Sequence, residues 1–154
     1  EDGPLSLGLA GVASDHAGAW YVATEDSLLH VSAAGCVRRV AALPASESFY
    51  TVAASPNGSA VFVADYSNKI RRVEVATGAV TTIAGSGERG DADGVGDAAQ
   101  FDCPEEVAIS PDGSTLLVSS NGGLRQVCVA APPPPPSFAP LVVPPSTFSA
   151  DMAN

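Results

Sequence analysis

One segment of this chain occurs three times, and that recurrence limits what it can fold into more than any other feature. Val12-Ala13-Ser14 leads through Gly18 to Trp20-Tyr21-Val22-Ala23. Val52-Ala53-Ala54-Ser55-Pro56-Asn57-Gly58 leads to Val61-Phe62-Val63-Ala64-Asp65. Val107-Ala108-Ile109-Ser110-Pro111-Asp112-Gly113 leads to Leu116-Leu117-Val118-Ser119. Each copy reads as a short apolar strand, a turn and a second apolar strand. In the later copies Pro fixes its own φ and the Asn-Gly or Asp-Gly pair accepts the positive φ of a tight turn.

Each hairpin is followed by a third strand, predicted over 27–31, 69–75 and 124–129. In the first two copies a fourth is predicted over 36–41 and 79–84, with Gly35 and Thr77-Gly78 supplying the turns. A four-stranded antiparallel unit that recurs about every 40 residues is the sequence signature of a β-propeller blade. The copies start at 12, 52 and 107. The longer second interval is accounted for by an inter-blade loop over 85–104. No stretch carries sustained helical periodicity, so the expected fold is all-β: a partial propeller of four-stranded antiparallel blades.

The segment beginning Glu1-Asp2-Gly3-Pro4 matches the later part of that loop, from Asp93-Gly94 onward. The expectation is that the chain starts inside a connection, with earlier blades missing. Blade three stops after its third strand, because Pro132 to Pro136 lack the N–H that a ladder requires. Residues 1–131 are therefore assigned to the propeller segment. Residues 132–154 are assigned to an extended polyproline II tail, rising about 3.1 Å per residue.

Charge narrows the class of partner. Seventeen acids against seven Lys and Arg give a net charge of −10. Nucleic acid is excluded as a partner, since phosphate binding needs a basic face. Membrane insertion is excluded because no 18-residue apolar run is present. The odd number of cysteines, Cys36, Cys103 and Cys128, leaves open one disulfide with a leftover thiol, a partner outside the chain, or three small hydrophobes. Cys103 and Cys128 fall at opposite ends of blade three and are expected to remain unbonded to each other.

The run Val61-Phe62-Val63-Ala64-Asp65-Tyr66-Ser67-Asn68-Lys69-Ile70-Arg71-Arg72-Val73, with Gly78 to Gly85 after it, resembles the NHL-repeat family of β-propellers. Asp93-Gly94, Ala98-Ala99, Phe101 and Pro104 resemble that family's loop into the next blade. Blade one departs from the pattern with Ala23-Thr24-Glu25-Asp26, and blade three with Ser119-Ser120. The resemblance implies a non-catalytic platform for partners, although some relatives are lyases with a metal held in the central channel. The proline-rich tail resembles the hydroxyproline-rich glycoproteins of algal and plant extracellular matrices.

Several residues stand out as candidate sites. Asp91, Asp93, Asp97 and Asp102, with Gly96 between, partly mimic a calcium loop, against the preferred reading of a solvated acidic loop. Gly85-Ser86-Gly87-Glu88-Arg89-Gly90 matches a dinucleotide-binding pattern but is followed by Asp-Ala-Asp-Gly rather than a helix, so it is set aside. His16 and His30 have no histidine partner in the other blades. Trp20 and Tyr21 lie on blade one's second strand, where packing between blades is the expected role. Asn57-Gly58-Ser59 is an N-glycosylation sequon. Pro132, Pro133, Pro134, Pro135, Pro136, Ser137, Ser146 and Thr147 are candidate glycan positions on the tail.

The sequence thus points to an extracellular, non-catalytic structural or adhesive module of a fibre or matrix glycoprotein. No cofactor is expected. The expected partners are other protein subunits or further blades, with glycans on the tail. Two alternatives stand beside it: a propeller enzyme whose catalytic residues lie outside this segment, and an intracellular NHL scaffold.

Overall fold

The computed structural model describes residues 9–44 and 51–129, with the backbone alone at 9 and 10. These residues form eleven strands and no helix. Strands β1 (Leu9–Ser14), β2 (Trp20–Thr24), β3 (Ser27–Val31) and β4 (Val37–Ala42) make the first sheet, in that order. Strands β5 (Thr51–Ala54), β6 (Ala60–Asp65), β7 (Lys69–Glu74) and β8 (Val80–Ala84) make the second. The third sheet has β9 (Glu106–Ile109), β10 (Thr115–Ser120) and β11 (Gly123–Cys128).

All pairings are antiparallel between sequence neighbours, so each sheet is a meander. The first strands β1, β5 and β9 lie side by side. Three successive meanders stacked through their first strands form a partial β-propeller. A bulge recurs at one repeat position, between Leu28 and Leu29 and between Ile70 and Arg71, where it adds twist to the outer half of each blade.

The core follows from period-two alternation. Val52, Val61, Val63 and Val73 face blade one and bury against Tyr21, Ala23 and Leu28. Ala53, Phe62, Ala64 and Ile70 face the other way and bury against Phe101, Val107, Leu116 and Val118. Strand β6 is therefore buried at every position, as only a strand covered on both faces can be. Each fully buried side chain of this size stabilises the domain by about 1.5–3 kcal/mol.

Polar residues close the turns. Asn57 Oδ1 accepts bonds from Ser59 N at 3.0 Å and from the Ser55 and Ser59 hydroxyls at 2.8 Å each. Asp112 repeats the arrangement with Ser110 and Ser114. Those donors hold its carboxyl down at about pKa 2, the Ser110 hydroxyl foremost. Gly78, at φ +72°, turns β7 into β8 directly against blade one. A Cβ there would lie 2.5 Å from the Val40 carbonyl oxygen.

The strands differ from expectation by a residue or two at their ends. Strand four of blade one starts at Val37, because the Cys36 carbonyl accepts Ser32 N in the preceding turn. The third strand of blade two ends at Glu74, and that of blade three spans Gly123–Cys128. The assigned tail lies outside the described residues.

Candidate functional site

The corner between β6 and β7 is held by buried polar side chains. Asp65 is 1% exposed. Its Oδ1 accepts Ser67 N at 2.7 Å and its Oδ2 accepts Arg71 Nε at 2.7 Å. Asn68 follows in the left-handed region at φ 60° and is buried. Its Nδ2 donates to the Gly87 carbonyl at 3.2 Å, and its Oδ1 accepts Cys103 N at 3.0 Å. One side chain thus ties both ends of the inter-blade connection to blade two. Gly85 passes so close that a Cβ there would sit 2.2 Å from the Asn68 carbonyl oxygen.

The connection is a folded element in its own right. Gly85 N donates to the Gly96 carbonyl at 2.9 Å, Ser86 N to Ala99 at 2.8 Å and Gln100 N to Ala92 at 2.9 Å. Arg125 occupies the repeat position of Arg71, but Ser120 stands where Asp65 would be. Its guanidinium turns instead to the Asp93 carboxylate and to the carbonyls of Ala92 and Gln100, each at 3.3 Å. The same group lies 5.7 Å from the Phe101 ring centroid.

This accounts for two of the four calcium candidates. Asp93 is paired with Arg125 and Asp102 with Arg89, which lowers the Asp102 pKa. Asp91 and Asp97 are exposed. Among the described residues no three His, Cys, Asp or Glu side chains gather into a metal-holding group. The glycine-rich run from Gly85 to Gly90 lies in the same connection, and β9 follows it, not a helix.

Sequence reasoning missed a second polar cluster. His30 Nε2 lies 3.1 Å from Asp15 Oδ2, and the Tyr21 ring is 5.0 Å from the imidazole. Asp15 Oδ1 also accepts Ala17 N at 2.8 Å and Ala19 N at 2.7 Å. The Ala19 bond is the main cause of its lowered pKa, and His30 adds to it. Asp15 and His30 sit in different strand–turn elements, so their encounter is a consequence of β2–β3 pairing. Among the described residues no serine or cysteine is hydrogen-bonded to that imidazole.

A cleft of about 1370 Å³ opens between blades two and three. Thr81 and Ile83 of β8 line one side, Val127 and Val129 the other, with Val95 and Asn57 at its margins. It lies where β8 has no counterpart in blade three among the described residues. Asn57 is exposed at this margin, and its Nδ2, the atom a glycan would occupy, faces no partner among the described residues. The tail candidates Pro132 to Pro136, Ser137, Ser146 and Thr147 lie outside the described residues.

The three cysteines are free thiols, Cys36 and Cys128 exposed. Desolvation and the neighbouring Asp102 push the Cys103 thiol up, away from the thiolate form. Tyr21 packs between blades as expected, whereas Trp20, one residue earlier and expected to do the same, is exposed because alternation turns it to the opposite face of β2.

No family model matches the chain, and no curated protein does. Solved structures do. A protein of unknown function from Bacteroides thetaiotaomicron is similar at 17% identity over 77% of this chain, with a TM-score of 0.66. An auxiliary nutrient binding protein from Bacteroides ovatus is similar at 16% identity over 77%, with a TM-score of 0.59. Hydrazine synthase from Kuenenia stuttgartiensis is similar at 20% identity over 83%, with a TM-score of 0.57. The chain spans 32%, 36% and 35% of those proteins respectively, about a third of each. At such identities the likeness is one of fold, and the fold is propeller-like.

Proposed function

We propose that this chain is a non-catalytic structural or adhesive module of NHL type, working in an extracellular glycoprotein assembly. The observation that carries the reading is where its polar side chains are used. Asp65, Asn68, Arg71, Arg125 and Asp93 join blade to blade and loop to strand. Asn57 and Asp112 close turns. Side chains committed in this way make a rigid platform. The proline-rich segment after the last strand supports a fibre or matrix setting, with other subunits or blades as partners and glycans on the tail. An exposed sequon at Asn57 accords with secretion.

The deciding experiment is mass spectrometry of native protein, covering the Asn57 turn and the peptide from Ala130 to Asn154. Hexose or pentose additions on the tail, with hydroxylated prolines, are expected. An unmodified mass for both peptides would overturn the extracellular glycoprotein reading.

A further inference from the structure

The chain contains two Asn-Gly pairs, Asn57-Gly58 and Asn121-Gly122, and both asparagines are exposed on hairpin turns. Such a pair is chemically labile. The backbone nitrogen of the glycine can attack the asparagine side-chain carbon and close a cyclic imide, and the absent Cβ leaves that nitrogen open to approach. Ring closure makes two demands on the fold. The side-chain amide must be free to swing onto the nitrogen, and the glycine N–H must be free to lose its proton.

At Asn57 the turn withholds both. Oδ1 accepts the Ser55 and Ser59 hydroxyls at 2.8 Å each and Ser59 N at 3.0 Å. Gly58 N donates to the Ser55 carbonyl at 2.9 Å. Attack would break every one of these bonds. At Asn121 neither group is held. Among the described residues its side-chain carbonyl accepts no hydrogen bond and Gly122 N donates none. Its Nδ2 reaches Asp102 Oδ1 only at a long 3.5 Å. Asn121 N donates to the Asp102 carbonyl at 2.9 Å, which fixes the backbone ahead of the reacting carbon and leaves the side chain free to turn.

We propose that Asn121 is a site of spontaneous deamidation in the folded protein, with water as co-reactant, and that its conversion loosens the inter-blade connection from the β10–β11 corner. The Gly122 nitrogen gives up its proton and bonds to Asn121 Cγ. The bond from Cγ to Nδ2 breaks, and that nitrogen leaves as ammonia with the proton. Water then opens the imide at either carbonyl, leaving aspartate or isoaspartate, and nothing is oxidised or reduced. The new carboxylate replaces an amide donor beside Asp102, whose Oδ1 already accepts Arg89 Nε at 2.7 Å. Two like charges then compete for one exposed guanidinium. Conversion of Asn57 has no such effect, because Asp112 closes the equivalent turn of blade three with the same serine bonds. This goes beyond the extracellular role proposed above and is tested apart from it, since unglycosylated protein suffices.

The full 154-residue chain is held folded at mildly alkaline pH, and peptides covering both pairs are followed by mass spectrometry over time. Asn121 should convert at least about tenfold faster than Asn57, which must first break its turn bonds. In urea the two rates should come within about threefold of each other, because the fold no longer separates them. Gly122→Ala should slow conversion of Asn121 at least about tenfold by shielding the nitrogen. The methyl fits, since a Cβ there meets only Asp91 Cβ at 3.6 Å and Ser120 Oγ at 3.9 Å. Asn121→Asp carries the product carboxylate. It should speed hydrogen exchange at least about threefold at Gly90 N, which donates to the Phe101 carbonyl at 3.2 Å beside Asp102. Circular dichroism checks that both variants are folded, and the aged unsubstituted chain supplies the rate and exchange readouts without either. Equal rates in the folded chain, or conversion of Asn121 only in urea, would overturn the site. Conversion indifferent to Gly122→Ala would overturn the route through the imide. Unchanged exchange at Gly90 after conversion would overturn the loosening.

Discussion

Removing either partner of the Asp65–Arg71 pair should destabilise the fold well beyond what a surface ion pair contributes. Asp65 is 1% exposed by side chain and Arg71 15%, and Nε to Oδ2 is 2.7 Å. Arg71→Ala leaves a buried carboxylate with only the Ser67 N–H to answer it. Breaking one side of such a pair costs about 3–5 kcal/mol, because the remaining charge is stranded away from water. Asp65→Ser should cost less, about 2–3 kcal/mol. It removes a charge-assisted bond to Ser67 N but leaves a cation that can re-aim. Blade three shows this compensation already made, with Ser120 at the Asp65 position and the equivalent Arg125 bonded elsewhere. Thr82 Oγ1 and Ser67 Oγ, at 3.4 and 3.5 Å from the Arg71 guanidinium, are the available alternatives. The measurement is urea denaturation by circular dichroism at one fixed protein concentration, since association would itself add stability. With an m-value of about 1.5 kcal/mol/M, the Arg71→Ala midpoint should fall by about 2–3 M. Salt should change the difference little, because a buried pair is weakly screened. If both variants lose under about 1 kcal/mol, the pair behaves like an exposed bridge and the reasoning from burial is wrong.

Three further outcomes follow from the same structure. Phe62→Ala should cost about 3–5 kcal/mol by opening a cavity between blades two and three, visible as a lowered unfolding midpoint with an unchanged m-value. Gly85→Ala should be more damaging than Gly58→Ala although both have positive φ, because only the first drives a Cβ into backbone, 2.2 Å from the Asn68 oxygen; equal thermal shifts would contradict this. Asp112, held at about 2 from an ordinary 3.8, is depressed on folding, so its contribution is complete above the unfolded value and is lost as pH falls toward the folded one. A carboxyl NMR titration should place its midpoint near 2, and Asp112→Asn, the residue blade two uses at that turn, should remove this part of the acid sensitivity; a midpoint near 3.8 would refute the cause assigned.

Which parts of the molecule were legible beforehand depends on how far apart the interacting residues lie in the chain. Turns and strands are local. Ser-Pro-Asn-Gly and Ser-Pro-Asp-Gly specify their own geometry within four residues, and each strand follows from alternation over five or six. The repeat then carries the meander order, since sequential antiparallel strands pair with their neighbours. So the all-β propeller architecture was readable from residues 12–128 without coordinates. Trp20 and Tyr21 were both expected to pack between blades, although alternation along β2 puts them on opposite faces. Alternation could not say which face was covered, because that depends on whether another blade lies there, and only the stacked sheets decide it. The polar network was beyond reach for the same reason. Asn68 joins Gly87 and Cys103, 19 and 35 residues away, and Arg125 reaches Asp93, 32 residues back. From the sequence alone Asp93 and Asp102 read as parts of one acidic loop; in the fold each faces an arginine, and the loop spends its backbone bonds on itself. Local chemistry specified the blades, whereas the contacts between blades exist only once the sheets have stacked, when burial makes each unpaired polar group costly and so selects its partner.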